Sequence, residues 1–74
     1  MNDYGVILFH TSSKVFQTEK LFNQAKLKFK LIPTPREFSS DCGMAIRFDW
    51  NDLSQINNIL NEMNIETAGI HKFT

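Results

Sequence analysis

The sequence predicts a single α+β domain over residues 1–74, built from four strands and two helices. Four short runs are rich in β-branched and aromatic residues, and two longer segments place apolar residues at helical spacing. Polar stretches containing Gly or Pro separate these segments. The chain is near the lower size limit for a domain without disulfides or metals, so its stability must come from apolar burial.

The first half of the chain predicts a strand, a helix and a second strand. Residues 4–10 form an apolar run typical of a strand buried on both faces. The hydroxyl residues 11–13 are natural helix caps, and residues 14–27 place apolar side chains near helical spacing. Residues 28–32 alternate Lys with apolar side chains, which indicates a strand with one solvated face. Two prolines then end that strand, because proline cannot donate to a sheet ladder.

The second half predicts a third strand, a second helix and a final strand. Residues 44–48 alternate as a strand, and residues 65–73, with Ala68, Gly69 and Ile70 at their centre, are predicted to form the final strand. Asp49 is the expected N-cap of the helix between them, with Asp52 in its first turn. One face of this helix is apolar, with side chains at helical spacing: Leu53, Ile56, Leu60 and Met63.

This order, βαββαβ, is that of a ferredoxin-like two-layer sandwich. Right-handed crossovers would place the first and third strands at the centre of a four-stranded antiparallel sheet, with both helices on one face.

Charge and composition exclude several classes of function. Eight basic residues balance eight acidic ones, so the chain has no long-range electrostatic attraction to nucleic acid or to an anionic membrane. The third strand also lacks the aromatic-basic motif of an RNA-binding sheet. The first apolar run is too short for a signal peptide or a membrane span, which predicts a cytoplasmic protein. Two His and one Cys show no metal-ligand spacing, and no cofactor is expected.

The candidate for chemistry is Cys42, the only cysteine of the chain. It lies in a polar loop, residues 33–43, between two apolar runs. In the predicted topology this loop lies at the end of the sheet where the first strand ends and the first helix begins. Cys42 is therefore expected close to residues 10–13, where the unpaired N–H groups of the helix would favour a nucleophilic thiolate.

The side chains expected to support this thiolate lie in the loop or at the start of the helix: Arg36, Ser39, Ser40, His10, Thr11 and Ser12. Gly43 is expected to relieve crowding beside the sulfur, and His10 could accept the Cys42 proton. A second interpretation remains open. Cys42 has the parity of Met44 and Ile46, so it could instead pack toward the helices as a small apolar side chain.

The segment 35–45, with its Pro-Arg pair, its serines and its Cys-Gly pair, resembles a family of short bacterial proteins described as sulfur/selenium carrier-like. The resemblance extends along essentially the whole chain. It implies a carrier rather than an enzyme: Cys42 would hold sulfur or selenium as a persulfide or selenopersulfide and exchange it with donor and acceptor proteins. The loop lacks the Cys-Pro helix-start motif of better-known sulfur carriers.

The alternative is a non-catalytic, small-molecule-binding or regulatory module that dimerises through its sheet. The first strand is apolar on both sides, so Gly5, Ile7 or Phe9 would need cover from a second copy. A homodimeric carrier would satisfy both hypotheses. His71, on the last strand, is placed at the opposite end of the sheet from Cys42 and receives no role.

Overall fold

The computed structural model describes residues 3–38 and 42–73, which form one four-stranded sheet with two helices. The elements in chain order are β1 (Tyr4–Leu8), α1 (Ser12–Gln24), β2 (Phe29–Pro33), β3 (Met44–Asp49), a 3-10 turn (Trp50–Asp52), α2 (Leu53–Glu62) and β4 (Gly69–Phe73). The strand order is β2-β3-β1-β4, and every neighbouring pair is antiparallel. The predicted α+β class, with four antiparallel strands and two helices, is confirmed.

The register of the strands separates two faces of the sheet. Ile7 of β1 lies opposite Ile46 of β3 and Ile70 of β4, so these three share one face. Both helices pack their buried residues against that face. The buried members of this core, among the described residues, are Ile7, Phe9, Val15, Phe22, Cys42, Ile46, Phe48, Ile56, Leu60 and Ile65. This is the helix side of the sheet.

Both helices end in the same backbone motif. Lys26 and Asn64 adopt left-handed φ values of 59° and 53°. The next residue after each donates its N–H back into the helix, Leu27 to the Phe22 carbonyl at 3.0 Å and Ile65 to the Leu60 carbonyl at 2.9 Å. These bonds satisfy the last carbonyls of each helix and place an apolar side chain on the core.

Several predicted boundaries are corrected by these caps. β4 begins at Gly69 rather than at residue 65, because Ile65 belongs to the cap of α2. Met63, predicted on the buried helix face, is the C-cap residue and is 48% exposed. Asp49 does cap a helical segment, accepting from the Asn51 N–H at 3.0 Å, but that segment is the 3-10 turn before α2.

The first strand needs no cover from a second copy. Gly5, Ile7 and Phe9 are buried on the helix side by the chain itself. The prediction that these residues need cover from a second copy is therefore wrong, because the chain's own helices cover the face to which they belong.

Candidate functional site

The loop that carries Cys42 is closed at its base by Thr34. The Thr34 N–H donates to the Gly43 carbonyl at 3.0 Å, and its hydroxyl donates to the Cys42 carbonyl at 2.9 Å. These bonds extend the pairing of β2 with β3 beyond the Pro33–Met44 pair, where proline has no N–H to donate. The backbone of Cys42 is thus held beside the end of the sheet.

The first part of the loop crosses the face of the sheet that carries no helix. The Phe38 N–H donates to the Pro35 carbonyl at 3.0 Å, which closes a turn. Phe38 then packs against a second buried cluster, which consists of Val6, Leu8 and Ala45. We call this packed side chain the Phe38 latch, because it holds the loop on the sheet.

His71 of β4 is the second contact of the Phe38 latch. The two rings stack with centroids 4.6 Å apart and planes 10° apart. His71 lies opposite Val6, midway along β1 and β4, so its predicted placement at the far end from the loop is wrong. Stacked aromatic pairs typically contribute about 0.5–1.5 kcal/mol beyond their buried area.

The side chain of Cys42 points into the helix-side core and is 6% exposed. Its parity with Met44 and Ile46 on β3 directs it there, as the second interpretation of the sequence anticipated. Of the two interpretations that the sequence left open, the structure therefore shows the packed thiol. Cys42 shares the core with Phe9 and Val15, the residues that flank segment 10–14 on either side.

The predicted supporting residues have different positions around this thiol. Arg36 lies exposed in the turn before Phe38. His10, Thr11 and Ser12 are exposed at the start of α1, where the Thr11 hydroxyl accepts from the Lys14 N–H at 3.4 Å as the N-cap. The prediction for Ser39 and Ser40 lies outside the described residues.

Gly43 is surrounded by open space on its side-chain side. Apart from its two chain neighbours, a Cβ at this position would meet no atom of the described chain within 4 Å, and its φ is not left-handed. Contacts with more distant parts of the chain therefore do not require glycine here, and its role beside the Cys42 sulfur stays a prediction.

We accordingly expect Gly43→Ala to leave the protein as stable as the wild type or to stabilise it by up to about 1 kcal/mol. Alanine narrows the unfolded ensemble without a clash in the folded one. Urea denaturation monitored by Trp50 fluorescence would measure the change. A loss of more than about 1 kcal/mol would contradict the open space seen beside this residue.

Sequence reasoning missed Thr34 and the contact between Phe38 and His71. The available signal was Phe38 itself, a large apolar residue in an otherwise polar loop. Such a residue is unfavourable unless it finds a surface to bury against. The sequence did not indicate which surface that would be.

The described residues contain neither a cluster of metal-ligating side chains nor a membrane-spanning helix. No group of three His, Cys, Asp or Glu side chains in this part of the chain could hold a metal ion. No helix in this part is long and apolar enough to span a bilayer.

A protein-family model described as "Putative Se/S carrier protein-like" matches residues 4–72. The chain belongs to this family. The match begins at the first residue of β1 and ends within β4, so the Se/S carrier-like family includes the sheet, both helices and the Cys42 loop. No curated protein and no solved structure matches the chain.

Proposed function

We propose that this protein carries sulfur or selenium as a persulfide or selenopersulfide on Cys42 and passes it to an acceptor protein. One observation carries the proposal: this member of the Se/S carrier-like family has a single thiol, at the end of the loop between β2 and β3. Both elements attach to proteins through cysteine sulfur, so Cys42 is the residue to which the family description can apply.

The proposed transfer is an exchange at sulfur. The Cys42 thiolate attacks the terminal sulfur of a persulfide on a donor protein and forms a new S–S bond. The S–S bond of the donor breaks, and the donor cysteine leaves as a thiolate. An acceptor thiolate then attacks the terminal sulfur on Cys42 and releases Cys42 as a thiolate. No external oxidant or reductant is needed, because the oxidised sulfur atom itself moves. Selenium would move in the same way from a selenopersulfide.

Burial of Cys42 fits a carrier that protects the bound sulfur or selenium after loading by the donor and before delivery to the acceptor. An apolar environment limits contact of a persulfide with small thiols in solution, which would otherwise reduce it. Transfer then requires the loop to open. The space beside Gly43 is unoccupied by other parts of the described chain, so a partner can approach the Cys42–Gly43 peptide from that side.

The loop and the start of α1 would stabilise the sulfur or selenium bound to Cys42. Arg36, Ser39 and Ser40 would donate hydrogen bonds to the anionic terminal atom once the loop opens. The start of α1, which includes His10, Thr11 and Ser12, would add its positive potential.

The scaffold proposed for the carrier is ferredoxin-like, which the element order and the strand order support. A single small domain suits a role that consists of docking to donor and acceptor proteins. We propose a cytoplasmic location, where Cys42 would stay reduced between transfers.

The test is intact-mass analysis after incubation with a donor, either a cysteine desulfurase with cysteine or a selenocysteine lyase with selenocysteine. We expect a one-atom adduct that dithiothreitol removes and that is absent from Cys42→Ser. Because the chain has no other cysteine, the variant is a complete control. The proposal fails if the folded wild type gains no reducible adduct from either donor.

A further inference from the structure

The end of the sheet farthest from Cys42 contains a cleft of about 240 Å³. It lies where β1 begins, β2 begins and β3 ends, and is lined by Asp3, Tyr4, Lys28, Phe29, Lys30, Arg47, Phe48 and Asp49. The loop of Cys42 lies at the opposite ends of β2 and β3. The cleft is therefore separate from the proposed carrier site.

Three cations converge on this cleft: Lys28, Lys30 and Arg47. Lys30 lies directly opposite Arg47 across the β2–β3 pair, and strand alternation places Lys28 on the same side as Lys30. Like charges directly opposite each other destabilise a sheet. An anion bound between them would turn that repulsion into attraction.

The chain does not neutralise these cations itself. Among residues 3–38 and 42–73, none of the three belongs to an ion pair, and the Asp3 carboxylate is paired with Lys72 at 3.4 Å. Asp49 accepts from the Asn51 N–H as a cap. The cleft is thus lined by three cations and two carboxylates, one of which is already paired with Lys72, in a chain whose total formal charge is zero.

The Tyr4 ring holds the Arg47 guanidinium in an orientation suited to binding an oxyanion. The guanidinium carbon lies 4.1 Å from the centroid of the Tyr4 ring. A guanidinium held over an aromatic ring loses less freedom when it binds, and its edge can donate two parallel hydrogen bonds to an oxyanion. Lysine ammonium groups add charge without demanding a fixed geometry.

We propose that this cleft binds the phosphate group of a small molecule, or inorganic phosphate itself. The cations match a doubly charged oxyanion, and the half-buried Tyr4 ring lies beside Arg47 on the same face, where it offers an apolar surface to an attached organic group. The volume lies below the usual range for drug-sized ligands, which favours a small occupant.

A nucleic acid fits the same face less well. Beyond the cleft the face is covered by the Phe38 latch, under which Val6, Leu8 and Ala45 are buried. A bound strand would need successive exposed aromatic rings on which to stack its bases. On this face the Phe38 and His71 rings are stacked on each other rather than left open for bases.

The test is an NMR titration of ¹⁵N-labelled protein with inorganic phosphate and with phenyl phosphate, at constant ionic strength set by chloride. We expect amide shifts concentrated at the residues that line the cleft. Arg47→Gln and Lys30→Gln should each weaken binding about ten-fold. Lys20→Gln, which removes an exposed cation from α1, is the matched control and should leave the affinity unchanged.

The two ligands distinguish the sources of the phosphate. Tighter binding of phenyl phosphate supports a phosphorylated organic ligand, and equal binding supports inorganic phosphate. The proposal is overturned if phosphate shifts the amides no more than chloride does, or if Lys20→Gln weakens binding as much as Arg47→Gln. It is also overturned if an oligonucleotide binds more tightly, with shifts across the whole face. Cys42→Ser should bind phosphate normally, so this result is independent of the carrier function.

Discussion

Gly5→Ala is expected to destabilise the protein by about 1–3 kcal/mol, because the added methyl group overpacks the core. A Cβ at this position would lie 2.6 Å from Trp50 Cε3 and 2.7 Å from Phe48 Cζ. Phe48 is 1% exposed and faces Gly5 across the β1–β3 pair, so its ring has little room to shift. The Trp50 ring stacks on it with centroids 5.8 Å apart, so the two rings would have to move together.

Urea and thermal denaturation would measure this loss. For a domain of this size each kcal/mol corresponds to a fall of roughly 4–8 °C in Tm. Gly43→Ala is the matched control, since the same substitution there meets open space. Trp50→Leu in the Gly5→Ala background should recover part of the stability, as expected of coupled neighbours. Equal stability of the two Gly→Ala variants would show that the rings adapt without cost.

The elements of this fold could be predicted because their signals are local. Alternation of polar and apolar residues identified β2 and β3, and helical spacing identified α2. Element ends were less predictable. Lys26 and Asn64 end the helices in left-handed conformations that usually favour glycine. Because neither residue is glycine, the sequence did not mark these helix ends. The predicted start of β4 at residue 65 was wrong for this reason, since Ile65 belongs to the cap of α2.

The candidate site was predictable in position but not in its packing. The sequence placed Cys42 on a loop and gave its parity, which indicated the helix side as one of two possibilities. It could not show that Phe38 crosses the sheet to His71, because that contact joins residues far apart in the chain. Long-range packing of this kind depends on strand order and register together. The missing information was which surface the one apolar residue of the loop would find.

The Phe38 latch leads to the second large prediction: Phe38→Ala should make Cys42 react with an alkylating reagent about 5–30 times faster. The substitution removes both the stack on His71 and the cover over Val6, Leu8 and Ala45. Truncation of a fully buried Phe to Ala typically lowers the free energy of unfolding by about 3–5 kcal/mol. Phe38 is only half-buried, so a loss of about 1–2 kcal/mol is expected, which is a factor of about 5–30 in the open population.

Iodoacetamide labelling followed by mass spectrometry would measure the rate, and its dependence on low urea concentrations would identify the kind of opening. If the loop opens by itself, the rate rises while its urea dependence stays shallow, because little surface is exposed. Phe16→Ala is the matched control: this Phe is 57% exposed on α1, and its removal should leave the rate unchanged. A rate for Phe38→Ala equal to that of Phe16→Ala would show that Phe38 does not hold the loop closed. A steep urea dependence would instead mean that Cys42 is reached only by global unfolding, and a carrier would then need its partner to open the loop.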